Sequence, residues 1–534
     1  MKKCLLATFI IASLSSIGFA SGCKAVYESS GNSAVCECTA SYCDTVTPLG
    51  KLSQNEVALY QTSKSGDRLQ REPNLSIISK PNDGWQNISI DLQQKHQKIL
   101  GFGGAFTDSF GINVLSLKPS LQQELMSSYF GRSGIQYDIA RVPMASTDYS
   151  TKVYSYDDAP SSNYHDFALK NFALSAFDKQ DKIPLINRAK QLSSRTIHFF
   201  ASPWSAPSWM KVDEKSPMVG GELNPKVGTR KVNGIEQTYK PYYQTWALYF
   251  EKFLASYKKA GINFWGVTAQ NEMNDNLQWF QTMAYTPQSE ADFIGNYLGP
   301  ELKKTFPKTK IMMLDDGLKY VNTQASQILS YPKAKQYISG TGIHWYFAPK
   351  NSTSILDNLH KLSPNKFILG TEASTGFMLP FNGPELGNYN RAEAYASDII
   401  RDLNHSVIGW TDWNMALNMK GGPDWAKSYT DAPIIVDASK QVFYKQPMYY
   451  YLGQFSKFIT PGSYEVQSTS SGPMPLKSTA VVTPQGNLVV EILNTSNLEK
   501  TFHIQISANE FVNNSIPSHS LQTYVIKLST SQVS

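Results

Sequence analysis

The amino-acid sequence predicts an α/β protein: a (β/α)8 TIM barrel with an accessory β-sandwich from N- and C-terminal segments and a small disulfide-bonded N-terminal β segment. Three observations carry this. Between residues 98 and 414, eight short apolar runs alternate with longer stretches of helical spacing. Each run ends in polar or aromatic residues, as required when the C-terminal ends of all strands converge on one face. Outside that region the apolar period changes from helical to strictly alternating.

The barrel runs are KILGFGG (98–104), YDIARVP (137–143), IHFFASPW (197–204), FWGVTAQNE (264–272), KIMMLDD (310–316), GIHWY (342–346), KFILGTE (366–372) and VIGWTDWN (407–414). Pro241 to Ala260 is the clearest helix, with Trp246, Tyr249, Phe250, Phe253, Leu254 and Tyr257 on one stripe and Gly261 ending it. GFGGAF lacks the last glycine of a dinucleotide fingerprint, since Phe106 occupies that place. Gly103 and Gly104 are therefore expected at a tight backbone bend rather than at a phosphate. STAVVTP, NLVVEILN and QTYVIKL within 463–534 alternate as sandwich strands do, and 48–97 has the same texture.

A chain of 534 residues is too long for one core, so several domains are expected. With 41 % hydrophobic and 17 % charged residues it is globular rather than disordered. The net charge of +6 is spread without a basic block, which excludes a nucleic-acid partner and leaves room for peripheral contact with anionic lipid surfaces. Lys2, Lys3, the apolar stretch Leu5 to Ile17 and Gly18-Phe19-Ala20 read as a signal peptide over 1–20, so a secreted or periplasmic protein is expected. After its removal Cys23, Cys36, Cys38 and Cys43 form an even, clustered set. Two disulfides are expected, 23–36 with 38–43 being chosen among three connectivities. A zinc site is disfavoured by the spacing and by export.

Chemistry concentrates at two strand ends. The fourth run closes on Gln270-Asn271-Glu272 and the seventh on Thr371-Glu372. Two carboxyl groups at one barrel mouth are the minimum for cleaving a glycosidic bond: one protonates the leaving oxygen and the other attacks the anomeric carbon. Asp315-Asp316 is expected to be a loop cap or ion pair rather than a metal pair, because no His or further carboxylate joins it locally. No metal or organic cofactor is called for.

The motifs GFGGAFTD, RVPMASTDYS, ASPWSAPSW, FWGVTAQNE, HWY, GWTDWN, GGPDW, APIIVD and FYKQPMYYYLGQFSKFI, with the four-cysteine segment, resemble glycoside hydrolase family 30 almost end to end. The resemblance implies a retaining exo-β-glucosidase that hydrolyses glucosylceramide, or another β-glucoside, by double displacement. Glu272 matches the acid/base and Glu372 the nucleophile. Asn271 matches the amide that binds the sugar 2-hydroxyl, and Asp148, Trp204 and Trp413 match the walls of the glucose pocket. Tyr346 matches a tyrosine beside the nucleophile, and Arg141 and His344 match polar residues around it. A structural reading of those last two, as satisfied groups at strand ends, stays open. Donors such as Tyr346 and Arg141 are expected beside Glu372, which must be ionised to attack. Other activities of the family are the alternatives: general β-glucosidase, β-xylosidase, endo-β-1,6-glucanase, or glucosyl transfer to sterol-type acceptors.

The implied domains are 21–47 packing with about 415–446, a sandwich from 48–97 and 463–534, and a barrel from 98–414 and 447–462. Three residues depart from the family pattern: Met273 where proline is usual, Ser374 in place of a cysteine, and Ser428 in place of an asparagine that contacts the 6-hydroxyl. The stretch 274–282 and the loop after Tyr346 are shorter than in relatives that take a lipid aglycone.

Overall fold

The computed structural model describes residues 22–28, 31–161, 163–213, 218–232, 234–277, 279–378, 382–472, 475–529 and 532. The expected signal peptide lies outside the described residues. Among these, no helix is long and apolar enough to cross a membrane.

Eight parallel strands close into a barrel in sequence order: Gly101–Ala105, Ile139–Met144, His198–Pro203, Phe264–Thr268, Lys310–Gly317, Ile338–His344, Phe367–Glu372 and Val407–Asn414. The eighth pairs with the first, Gly409 opposite Gly101, which completes the ring and leaves no edge. Ile139, Phe200, Met312 and Leu369 come from four strands and pack into an apolar cluster inside the ring. Helix Pro241–Lys259 buries Trp246, Phe250, Phe253 and Tyr257, the stripe read from its spacing. The last barrel helix, Pro447–Phe458, is buried on every side because the sandwich covers its outer face.

Three differences from the sequence reading have local causes. The first strand begins at Gly101, because Lys98 still belongs to the sandwich strand Gln86–Lys98. The fourth strand ends at Thr268, yet the chain stays attached, with Asn271 N–H donating to Pro203 O (2.9 Å) and Glu272 N–H to Asp315 O (2.9 Å). Glu272 takes φ 47°, a left-handed conformation that cannot continue a ladder. Gly103 and Gly104 make no left-handed bend. A Cβ at Gly103 would lie 1.8 Å from Ile139 O, and one at Gly104 would lie 2.5 Å from Met415 Cγ, so close approach inside the barrel requires both glycines.

The sandwich sheet has nine strands. Glu56–Ser63, Gln70–Ser76 and Gln86–Lys98 come from the N-terminal side, and the other six lie between Tyr464 and Lys527. Val57, Ile88, Val466, Val490, Phe502, Val512 and Ile526 form its own core. A smaller sheet pairs Ala25–Val26 and Val35–Cys38 with Val442–Lys445, Ile434–Asp437 and Ala416–Asn418. Disulfides Cys23–Cys36 and Cys38–Cys43 brace its N-terminal strands. Lys445 reaches the Asp44 carboxylate at 3.2 Å and ties this segment to the strand beside it.

Candidate active site

Arg141, at the centre of the second strand, organises the mouth of the barrel. Its side chain has no solvent exposure. Nε donates to Ser202 Oγ (3.1 Å), and Nη2 donates to Asn271 Oδ1 and Asp315 Oδ2 (2.8 Å each). Nη1 donates to Glu372 Oε2. Below it lies Phe200, and the guanidinium faces the rings of Trp204 (4.8 Å) and Trp413 (5.4 Å), which stack on each other at 4.9 Å. A buried guanidinium is tolerated only when its donors are taken up, and two carboxylates and an amide do so here. Burial works against its charge, but Asp315 and Glu372 outweigh it and hold the group above its ordinary pKa.

Glu372 ends the seventh strand and is 7 % exposed. Its second oxygen accepts from Tyr346 Oη at 2.8 Å, so both oxygens meet a donor. The expectation of donors around this carboxylate is met by the two residues named for it. The Tyr346 hydroxyl is itself pushed well above its usual range, first by burial and then by the charge of Glu372.

Glu272 faces it from the turn after the fourth strand, with 17 % of its side chain open to the cavity. Oε1 lies 3.1 Å from His344 Nδ1. Burial pushes this carboxyl up to about 8; His344 pulls it down, and Glu372 and Asp275 add to the rise. Desolvation therefore dominates, with the charge of Glu372 a lesser contribution.

His344 Nε2 meets Asp315 Oδ1 at 3.0 Å. Burial alone would lower the imidazole, but Glu372, Asp315 and Glu272 overcome it and raise it to about 10. Asp315 runs the other way: burial would raise it, and Arg141 with His344 holds it well below the usual carboxylate range. Asp315 is thus the ion-pair partner anticipated, and Asp316 caps the next loop by accepting from Gly317 N–H (2.7 Å) and Asn274 Nδ2 (2.8 Å).

One oxygen or nitrogen each from Glu272, His344 and Glu372 lie within 4.8 Å of one another, a spacing that could gather a cation. His344 argues against it. Both its nitrogens are committed to carboxylates, and with its pKa near 10 it carries a proton on each, so it donates and offers no lone pair. Cys38 and Cys43, in the other such group, are tied in a disulfide.

These groups open onto a cavity of ≈ 370 Å³ that brings together Asp148, Trp204, Asn271, Glu272, Tyr346, Glu372 and Trp413. Arg141 and His344 stand behind the wall rather than on it. Sequence reasoning did not find Asp275, Phe377 and Thr430, which line the same space from loops, or Lys319 and Tyr320, which line it from the first turn of helix Leu318–Leu329. Their signal was position alone, since all but Thr430 follow the end of a barrel strand within a few residues. At the rim, Leu277, Trp279 and Phe347 are exposed by 39 %, 52 % and 65 %. Large apolar side chains gathered round one opening are unusual on a surface unless something covers them.

Comparison with known proteins agrees with this construction. Residues 99–459 match the Glycosyl hydrolase family 30 TIM-barrel domain, and 462–524 match the family's beta sandwich domain. The chain is 39 % identical over 500 residues to lysosomal acid glucosylceramidase of Mus musculus, covering 92 % of this chain and 93 % of the other. It is 26 % identical over 455 residues to the endo-1,6-beta-D-glucanase BGN16.3 of Trichoderma harzianum, covering 84 % and 88 %. The crystal structure of SrfJ from Salmonella typhimurium shares the fold with a TM-score of 0.79 at 24 % identity, covering 89 % of this chain and all of that one. The chain belongs to glycosyl hydrolase family 30 and is a glycoside hydrolase.

Proposed function

We propose that the protein is a retaining exo-β-glucosidase that hydrolyses glucosylceramide to glucose and ceramide, with Glu372 as nucleophile and Glu272 as acid/base. The carrying observation is the short reach between them: an oxygen of each lies within 4.8 Å of the other. Retaining enzymes hold their carboxyl groups about 5–5.5 Å apart, whereas inverting ones leave roughly 6.5–9.5 Å for a water.

In the first step Glu372 attacks the anomeric carbon while Glu272 gives its proton to the departing oxygen. The negative charge of Glu372 vanishes in the glucosyl ester, which removes one of the influences holding Glu272 protonated. Glu272 then takes a proton from the attacking water, and its second oxygen is oriented by His344. Asn271 has its oxygen occupied by Arg141, so its amide N–H groups are presented to the sugar 2-hydroxyl. The stacked Trp204 and Trp413 and the carboxyl of Asp148 close the pocket around one hexose. Leu277, Trp279 and Phe347 would receive the apolar aglycone and could rest against a lipid surface. Export through residues 1–20 would place the enzyme in the periplasm or outside the cell.

The test is hydrolysis of a fluorogenic β-glucoside and of glucosylceramide in detergent, beside Glu272→Gln and Glu372→Gln. Cleavage of both substrates, lost in both variants, supports the reading. Cleavage of the simple glucoside alone keeps the mechanism and removes the lipid. Activity surviving in Glu372→Gln would overturn the mechanism.

A further inference from the structure

Asp424 plays no part in the chemistry described above, yet it lies directly behind the sugar pocket and is 8 % exposed. We propose that Asp148 and Asp424 share a single proton through the Ser428 hydroxyl, with Asp424 a positioning residue that sets the protonation state of the carboxyl the sugar meets. The proposal rests on reading the cavity as a glycoside pocket.

The geometry carries it. Ser428 Oγ is 2.7 Å from Asp424 Oδ2 and 3.3 Å from Asp148 Oδ2. A hydroxyl has one proton and can serve only one of them. Asp424 takes it, since that contact is the shorter. Asp424 also accepts the Ala426 N–H on Oδ1 (2.6 Å) and the Ser428 N–H on Oδ2 (3.0 Å), a donor set that suits an anion. Oxygen would then face oxygen between Ser428 and Asp148 unless Asp148 brings a proton of its own. Ser428 is the only hydrogen-bond partner of the Asp148 carboxyl among the described residues.

The charged groups that weigh most on Asp148 are Asp424 from its loop, Glu372 from the seventh strand and Glu272 from the turn after the fourth. All are acidic, and the neighbouring Tyr149 carries no compensating charge. Burial first, and then these carboxylates, push Asp148 well above the usual carboxylate range.

A sugar hydroxyl that donates to Asp148 bonds more strongly to the anion than to the acid. Binding therefore draws the proton away. The O–H bond of Asp148 breaks as one forms at Ser428 Oγ, and the original Ser428 O–H breaks as Asp424 Oδ2 takes that proton. Asp148 ends as the carboxylate and Asp424 as the neutral acid, while the pair keeps its one proton. A neutral glucoside can thus bind without exchanging a proton with solvent. Cutting the relay forces that proton out to water. Affinity should then rise with pH, by up to about tenfold per pH unit while Asp148 remains protonated in the free enzyme.

Two measurements test this. In the ligand-free enzyme, the infrared difference spectrum between wild type and Asp148→Asn should show a protonated-carboxyl C=O band that the variant loses and Ser428→Ala retains. If Asp148→Asn does not fold, Asp424→Asn serves instead: without the competing anion the Ser428 proton turns to Asp148, and the band shifts or disappears. Absence of the band in wild type overturns the pair whatever the substrate is. In titrations of a methyl β-thioglucoside in two buffers of different ionisation enthalpy, wild type should release no proton and Ser428→Ala should release one. Equal proton counts in the two proteins would overturn the relay. Failure of wild type to bind the thioglucoside would sink the glucoside reading, and the infrared band would still decide the pair.

Discussion

Arg141 holds Glu372 through Nη1 while its Nη2 holds Asn271 and Asp315, so one fully buried guanidinium fixes the proposed nucleophile, the proposed sugar-binding amide and the partner of His344. Lysine would keep the charge but offers a point donor in place of a planar fork. Arg141→Lys should therefore leave a folded protein with kcat/KM reduced by about 10²–10³-fold, the size expected when a transition-state donor is misplaced. Arg141→Met takes the shared guanidinium from two buried carboxylates, leaving Asp315 only His344 and Glu372 only the Tyr346 hydroxyl, and should cost roughly 3–5 kcal/mol of stability. Denaturant unfolding and steady-state kinetics check both. A Met variant as stable as wild type would show that Asp315 and Glu372 do not depend on this charge.

On the proposed mechanism, the Glu272 carboxyl should set the alkaline limit of activity. Glu272 can donate only while protonated, and its pKa is pushed up to about 8. Glycosylation should be fully available below that value and fall away as pH rises through it, which the pH profile of kcat/KM reports for the free enzyme. His344 draws Glu272 down by its hydrogen bond and its charge. His344→Gln removes the charge, so the alkaline limb should move to higher pH even as the rate falls. A limb that stays in place or moves to lower pH would mean that another group controls it.

Much of the fold was legible in the sequence because barrel strands are short apolar runs of fixed polarity, and eight of them alternate with helical spacing. Glu272 and Glu372 were legible because strand ends converge on one face. The hydrogen bonds that join Arg141, Asp315 and His344 were not, because they link three strands far apart in sequence. Asp315 also sits at a bulge with φ 54°, which turns its carboxylate inward, and nothing in KIMMLDD announces that. Asp424 stood inside a quoted motif, yet its relation to Asp148 depends on a loop folding back across the pocket. Gly103 and Gly104 were noticed and misread, since a missing side chain can signal either a bend or a close approach.

The exposed rim separates a lipid substrate from a soluble one. Trp279 and Phe347 stand at the opening of the cavity with more than half of each side chain in solvent. Replacing both by alanine removes apolar area that only a long aglycone would cover, and a single well-buried aromatic contributes about 1.5–3 kcal/mol. KM for glucosylceramide in detergent should rise at least about tenfold, while a short fluorogenic glucoside should be cleaved as before. Equal losses on both substrates would assign these residues to the shape of the sugar pocket instead.

Stability carries a separate pH signature in the sandwich. Glu491 is fully buried on strand Asn487–Asn494; Oε2 accepts from Thr523 Oγ1 at 2.7 Å and Oε1 finds no partner among the described residues. Burial pushes this carboxyl from 4.5 up to about 8. The unfolded chain ionises it near 4.5 and the folded chain does not, so between those values the unfolded state binds fewer protons. By linkage, the contribution of this group to stability is greatest below about 4.5, declines as pH rises, and levels off above about 8. Glutamine has the same shape and cannot ionise. Glu491→Gln should therefore match wild type near pH 4 and exceed it near pH 7 by on the order of 2–3 kcal/mol. Thermal unfolding of the two proteins at both pH values measures the difference. A constant offset would instead show that Glu491 has the same affinity for its proton in the folded and unfolded chains.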